Sequence, residues 1–399
     1  MKVAYLVGHF PTTRETFIIN EVSDLVRRGV DVEIFSWRQP TADEVTHPEV
    51  AENRLLNRTR YYRIRYLWRV VGSCFFWRTL WVTRQPVSGY TFRTFEDRLR
   101  AAYFATLLRS HRHRHLHAHF VGMLGETMAQ LAGLSYSFTA HCYEADVKSG
   151  GYSPQLAEAL KRASTVVAAS EFVRNGLRKH AEKDRQDDIH VVRCGIDAER
   201  FLPNQRIPKD IDILSVAGFN KCKGLEYLIE AAGLLKSDGI ETKVAIAGWG
   251  PPERVSEMLA ARSRAGAEGV VDLLGRVDSQ QVRDLLTRSK IFVLPSIVDD
   301  DGHMDGLPVA LMEAAAMELP LISTDVAGIP ELVIDGVTGI VVPQRDPRAL
   351  AGAIQTLLRD DELRERLGKA ARQRVLEEFT REMNGERLLA VLRPYIEEA

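Results

Sequence analysis

The sequence predicts an α/β protein built from two doubly wound, Rossmann-like domains in tandem. Three observations carry this. Short apolar runs with strand character alternate with helix-period stretches, the alternation breaks at one proline-bearing segment, and it then restarts. At 399 residues the chain has room for two cores of ~100–200 residues each.

Residues 3–7 form an apolar strand, 9–14 a polar loop containing a proline, and 16–28 a helix with Phe17, Ile18, Val22, Leu25 and Val26 on one face. Gly29 stops that helix, and 30–35 is a second strand, so the start is a parallel βαβ unit. Further strands are expected at 116–120, 137–140, 165–169 and 190–193. Residues 201–210 carry two prolines, few apolar residues and no periodicity, so they read as a linker. Beyond it, strands are expected at 211–216, 243–247, 270–274, 291–294, 321–323 and 340–342. Helices are expected between them at 224–236, 253–264, 280–288, 308–317 and 347–358. The expected organisation is 1–203, 204–375, and a C-terminal helix over 376–399 that returns to the first domain. Two such sheets place a ligand cleft at their strand carboxyl ends. Only Gly8 follows the first strand, so the dinucleotide fingerprint G-x-G-x-x-G is missing and a dehydrogenase is poorly supported.

Composition narrows the class further. A 45% hydrophobic and 27% charged chain without low-complexity tracts is globular. Cys74, Cys142, Cys194 and Cys222 are widely spaced, which fits reduced thiols and neither a metal cluster nor a disulfide framework. Residues 70–77 form the longest uncharged run near the Trp-rich segment, and a membrane-spanning helix needs ~20 residues. The amino terminus reads as a strand rather than a signal peptide.

Several motifs in the second half occur in a telling order: SVAGFNKCKG (215–224), AGWGP (247–251), DGLPVALMEAAAMELP (305–320) and ISTDVAGIPELV (322–333). This arrangement resembles glycosyltransferase family 4, whose members are retaining enzymes of the GT-B fold. FPTTRETFIINE (10–21), HAHF (117–120), FTAH (138–141) and RCGID (193–197) are similar to the branch that builds colanic acid and other exopolysaccharides. The resemblance covers nearly the whole chain and is weakest over 41–114.

The resemblance implies a nucleotide-diphosphate sugar, UDP- or GDP-linked, as donor, and a glycan or polyprenyl-diphosphate-linked acceptor. It implies no further cofactor and no metal. His119, His141, Lys223 and Asp305 take the catalytic positions. Gly218, Lys223, Gly248, Gly250, Arg276, Asp305, Gly306, Leu307, Val309 and Glu313 form the donor-binding set. Lys223 opens a helix after a strand, where a cation and a helix N-terminus both suit phosphate. A solvated lysine capping a turn is the plainer reading of the same residue. Gly248 and Gly250 permit close backbone approach, to a ligand or simply within a tight turn. The family's two glutamates eight residues apart are Asp305 and Glu313 here. The first is expected to bind sugar hydroxyls and the second the ribose, although Glu313 also reads as a helix-surface charge. The family's arginine five residues before the lysine is Gly218, so Arg14, Arg193 or Arg276 would have to supply that cation. The acid that usually follows the histidine of FTAH moves to Glu144. Front-face transfer is implied, with the departing phosphate accepting the proton. A sugar-nucleotide epimerase or hydrolase of the same shape, or a degenerate binding protein, are the alternatives.

Two patterns invite metal readings. Asp299, Asp300, Asp301 and Asp305 suggest calcium, but the EF-hand register puts Met312 where a glutamate is required. His111, His113, His115, His117 and His119 alternate, which on a strand puts them on one face, yet Arg112 and Arg114 make the early part a basic loop.

The span 54–114 holds fourteen arginines against Glu96 and Asp97, in a chain of net charge −1. Arg60, Arg63, Arg65 and Arg69, with Trp68, Trp77 and Trp81, suit an anionic bilayer surface that would also face the acceptor. Nucleic acid and intramolecular ion pairing are the competing readings, and no nucleic-acid partner is expected. The implied location is cytoplasmic, peripheral on the inner face of the cell membrane.

Overall fold

The computed structural model describes residues 1–12, 15–41, 47–85, 94–120, 125–141, 154–204 and 206–397. Arg14, Cys142 and Glu144 lie outside them. The chain forms two compact units, Met1–Gly195 with Arg381–Ala399, and Ile196–Thr380.

The first unit runs β1 (Lys2–His9), α1 (Thr16–Arg27), β2 (Asp31–Arg38), α2 (Pro48–Glu52), β3 (Thr59–Tyr61), α3 (Cys74–Val82), α4 (Phe95–Ser110), β4 (His115–His119), α5 (Gly125–Ala132), β5 (Ser135–Ala140), α6 (Pro154–Arg162), β6 (Thr165–Ala168), α7 (Glu171–Arg178) and β7 (Ile189–Val191). Its seven strands are ordered β3-β2-β1-β4-β5-β6-β7 and all pairs are parallel. The winding reverses between β1 and β4, the position where such sheets open a ligand crevice. Helices cover both faces, so the strands read as apolar runs. Val3, Tyr5 and Val7 pack with one cluster, Ala4 and Leu6 with another.

The ends of the expected strands fall within three residues of expectation, and β3 was not expected. The edge strand β3 lies inside the arginine-rich span, where no strand was expected; three residues are too few to show alternation. β4 starts and ends one residue early, because Phe120 turns out of the strand with φ +67°.

The second unit runs β8 (Ile211–Val216), α8 (Leu225–Ser237), β9 (Val244–Ala247), α9 (Pro252–Arg264), β10 (Val271–Gly275), α10 (Ser279–Thr287), β11 (Ser289–Leu294), α11 (Val309–Ala316), β12 (Leu321–Thr324), β13 (Gly339–Val342), α12 (Pro347–Arg359) and α13 (Asp361–Glu378). Its six parallel strands are ordered β10-β9-β8-β11-β12-β13, with the reversal between β8 and β11. Side-chain caps at Asp278, Asp346 and Asp360 start three of its helices. The units divide before Ile196 rather than within the proline-bearing segment. Within the second unit the Ile196 N–H donates to the Phe379 carbonyl at 2.9 Å, and Ile196 bridges to Thr380.

The last helix, α14 (Arg381–Ile396), belongs to the first unit. Leu388, Leu389, Leu392 and Ile396 pack into the same core as Ile18, Ile19, Val22 and Leu25 of α1. Gly385 permits the close crossing, since a Cβ there would lie 1.8 Å from Asp24 Oδ2. Arg381 anchors the helix start on the buried Glu49 at 2.9 Å.

Candidate functional site

In the second unit, two loops leave the carboxyl ends of β8 and β11, the strands on either side of the winding reversal. The β8 loop tightens into a 3₁₀ turn over Lys221–Lys223, and Gly224 then enters α8 with φ +62°. A Cβ on Gly224 would stand 2.0 Å from the Pro295 carbonyl oxygen, so the two loops touch backbone to backbone. That contact brings Lys223 Nζ to 2.7 Å from Asp305 Oδ1, with both side chains only 16% exposed. Asp305 Oδ2 accepts the hydroxyl of the buried Ser296 at 3.0 Å. The carboxylate is thus fixed from both sides, one oxygen by a cation and one by a hydroxyl.

The glycines of the neighbouring loop are explained by packing. A Cβ on Gly248 would meet the Ala217 carbonyl oxygen at 1.7 Å, and one on Gly250 would meet Phe219 Cβ at 2.7 Å. Trp249 between them remains half exposed. Gly218 differs: its nearest neighbours would be Trp249 O at 3.6 Å and Asn220 Nδ2 at 3.7 Å, ordinary contact distances that admit a side chain. Arg276 is exposed just past β10. Gly306, Leu307 and Val309 lead into α11, whose first-turn N–H groups have no partner within the helix. Glu313 sits on α11 among buried Leu311, Met312 and Ala314. Burial raises its pKa to about 7, with only Arg283 opposing.

In the first unit, β4 and β5 run side by side with His115, His117 and His119 opposite Ser135, Ser137 and Thr139. The Ser135 hydroxyl donates to the Arg114 carbonyl, so it must accept from His115 Nδ1 at 2.7 Å. Since burial pushes the His115 pKa down to about 3, the ring is neutral and its Nε2 accepts from Ser137 at 2.6 Å. Ser137 then accepts from His117 Nδ1 at 2.7 Å, and His117 Nε2 accepts from Thr139 at 2.9 Å. Burial, aided by the adjacent histidines, keeps His117 neutral as well. One hydroxyl therefore sets the proton order of the whole ladder.

At the carboxyl end of β4 the pattern changes. His119 Nε2 lies 2.9 Å from Glu21 Oε1, and its Nδ1 lies 3.2 Å from His141 Nε2. Phe17 and Phe120 pack on the His141 ring with centroids 4.7 and 4.6 Å away. Burial and the neighbouring His119 lower the His141 pKa well below the usual value. The structure thus brings His119 and His141 together in one unit, and Lys223 and Asp305 together in the other.

Three groups among the described residues place possible metal-ligand atoms close together. In Glu21, His117 and His119, both nitrogens of each histidine already have partners. In Glu33, His111 and His113, an arginine is already present: Arg60 Nε lies 2.7 Å from Glu33. Burial alone would raise the Glu33 pKa, but hydrogen bonds from His111 and His113 hold it well below the carboxylate range. In Asp299, Asp301 and His303, one Asp299 oxygen accepts the backbone N–H groups of the other two.

The arginine-rich span divides in two. Arg58 pairs with Asp31, Arg100 with Glu96, and Arg98 donates to the Leu80 carbonyl. Arg60 belongs with these and not with the expected surface face, because it turns onto Glu33. Arg63 is half-buried. Arg65 and Arg69 are exposed and stack over Tyr66, Arg69 also over Trp68. Trp68, Trp77 and Trp81 are 70%, 56% and 66% exposed. Among the described residues no helix is long and apolar enough to cross a membrane.

Sequence reasoning gave no individual role to Glu21, Tyr5, Ser296 or the hydroxyls of β5. The S-x-S-x-T spacing of 135–139, matching H-x-H-x-H of 115–119, was a usable signal for the last.

Comparison with known proteins supplies a second line of evidence. The chain matches the family Glycosyl transferases group 1 over residues 197–374 and Glycosyltransferase Family 4 over residues 15–200. It is 30% identical to a protein of Escherichia coli (strain K12) assigned to colanic acid biosynthesis as a glycosyltransferase, covering 98% of this chain and 99% of that one. It is 35% identical to the amylovoran biosynthesis glycosyltransferase of Erwinia amylovora over 52% of this chain and 51% of that one. Among solved structures, Anabaena HepE in complex with UDP superposes with a TM-score of 0.76 at 15% identity, covering 99% and 100% of the two chains. Sucrose-phosphate synthase of Thermosynechococcus elongatus gives 0.73 at 20% identity, covering 99% and 98%.

Proposed function

Because the chain belongs to the group 1 and family 4 glycosyltransferases, we propose that it transfers a sugar from a nucleotide-diphosphate donor to a lipid-linked oligosaccharide or other glycan during exopolysaccharide biosynthesis. Transfer proceeds with retention and without a metal. The observation that carries this reading is the Lys223–Asp305 pair where the second unit's sheet reverses its winding. A diphosphate leaving group gains negative charge as the glycosidic bond breaks, and a fixed cation there stabilises that charge. A carboxylate beside it suits the sugar's hydroxyls. Glu313 takes the ribose, and the N–H groups of Gly306, Leu307 and Val309 take phosphate. His119 and His141 act at the reacting sugar, and the departing phosphate accepts the acceptor's proton. The relatives' roles in colanic acid and amylovoran biosynthesis support the pathway class. The UDP in HepE favours a uridine donor.

Arg65, Arg69, Trp68, Trp77 and Trp81 hold the protein on the anionic inner face of the membrane, where a lipid-linked acceptor is found. Gly218 favours a second reading, a nucleotide-binding protein that transfers nothing, because the expected arginine is absent. Titrating UDP, GDP, ADP and dTDP by calorimetry tests the first step: one nucleotide should bind well ahead of the rest. Binding of none contradicts both readings. Binding without transfer, with transfer gained in Gly218→Arg, supports the second.

A further inference from the structure

The strongest unassigned feature is the carboxylate behind His119. Glu21 lies one helical turn after Phe17 on α1, so the helix delivers an acid and an aromatic wall to the same place. Glu21 Oε1 receives two groups, Tyr5 Oη at 2.9 Å and His119 Nε2 at 2.9 Å. Burial, reinforced by Glu21, raises the Tyr5 pKa well above its usual value, so the phenol keeps its proton and donates it.

We propose that Glu21 is the positioning residue that decides which nitrogens of His119 and His141 carry protons. The inference rests on the reading that these two histidines act at the reacting sugar. An ionised Glu21 only accepts, so His119 Nε2 must be its donor. A neutral imidazole has one donor and one acceptor, which leaves His119 Nδ1 as a lone pair. The 3.2 Å contact to His141 Nε2 then requires a proton on His141 Nε2. His141 is neutral, so its Nδ1 is left as an acceptor. A proton added to His119 reverses this: Nδ1–H donates, His141 Nε2 accepts, and His141 Nδ1 becomes a donor. Glu21 thus governs the tautomer of both rings through its contact with His119 Nε2. Removing its charge while keeping its shape disturbs the histidines without touching substrate.

The experiment compares wild type, Glu21→Gln and Glu21→Leu in the full chain, each checked for an intact thermal transition. Ring nitrogen NMR on ¹⁵N-histidine protein reports the tautomers, with His119→Asn and His141→Asn spectra assigning the signals. Wild type should show Nε2–H on both rings. Glu21→Gln and Glu21→Leu should both shift the ring nitrogen signals of His119 and His141 away from that pattern. Turnover should fall about tenfold or more in both variants, with UDP affinity unchanged, since UDP binds in the other unit. Histidine ring signals left as in wild type in both variants would overturn the proposal. So would altered signals with unaltered turnover and pH–rate profile. If wild type transfers no sugar, the functional reading fails while the NMR comparison still decides the role of Glu21.

Discussion

Lys223 Nζ and Asp305 Oδ1 lie 2.7 Å apart across the two strand ends where the second unit's sheet reverses direction. The pair neutralises itself at a place where a doubly wound sheet offers a site for phosphate. Under the proposed function a donor must share or replace each partner, with phosphate taking the ammonium and a sugar hydroxyl the carboxylate. Lys223→Ala leaves the Asp305 charge facing phosphate, so nucleotide affinity should fall by about 1.5–3 kcal/mol, roughly tenfold to hundredfold. The double variant Lys223→Ala/Asp305→Ala should bind nucleotide better than Lys223→Ala alone. Calorimetry on the four-member cycle checks this; strict additivity would mean the two groups do not share a ligand.

Glu313 gives a pH signature. Its pKa is raised to about 7 by burial, while an ordinary glutamate titrates near 4.3. Two ribose hydroxyls donate best to the ionised form, so nucleotide affinity should rise with pH between about 6 and 8 and level off above. Glu313→Gln should bind more weakly and lose that slope. A wild-type profile that is flat across this window contradicts the assignment. For the unliganded protein the sign reverses: burying this carboxyl favours its neutral form, so its contribution to stability weakens as pH climbs from about 4.5 past 7.

The histidine ladder predicts acid sensitivity. His115, His117 and His141 are all shifted downward by burial, so the unfolded chain binds protons that the folded one refuses. Stability should be complete above the unfolded value near 6.5 and fall as pH drops below it, by up to about 1.4 kcal/mol per pH unit for each ring. Glu33, also depressed, adds its loss only below about 4.5, but Glu313 titrates across the same window with the opposite sign, so urea melts between pH 6.5 and 5 in a Glu313→Gln background isolate the histidines. His115→Phe should lower stability at pH 7 yet give a shallower slope in that window. An unchanged slope would show that His115 does not titrate there.

The arginines separate by environment. Arg65→Gln/Arg69→Gln and Trp68→Ala/Trp77→Ala should each weaken binding to vesicles of anionic lipid and leave the melting temperature nearly unchanged. Arg60→Gln should do the reverse, lowering stability because it withdraws a partner from buried Glu33. Salt should release wild type from the vesicles, since exposed charges are screened over ~8–10 Å near physiological strength. Wild type that ignores anionic vesicles at low salt contradicts the surface assignment.

Most of the fold was legible because long crossover helices and apolar strands leave strong periodic signals. The three-residue β3 left none. The site motifs were legible as loops after strands, but not their internal contacts. Gly224 looked like a helix start, and only the 2.0 Å approach to Pro295 shows that it joins two loops. Arg60 and Arg65 look alike in sequence and differ because one faces Glu33 across the sheet edge. Glu21 could not be singled out, since a glutamate on an amphipathic helix ordinarily faces water, and its partner His119 is 98 residues away.

The central claim is metal-independent, retaining transfer from a nucleotide sugar. The most direct measurement is proton NMR of the product formed from an α-linked uridine-diphosphate sugar and a polyprenyl-diphosphate-linked acceptor in saturating EDTA. The account predicts an α-linked product at a rate unaffected by the chelator, and loss of that product in Asp305→Ala with UDP affinity largely kept. A β-linked product, or activity that EDTA abolishes and a divalent ion restores, would contradict it.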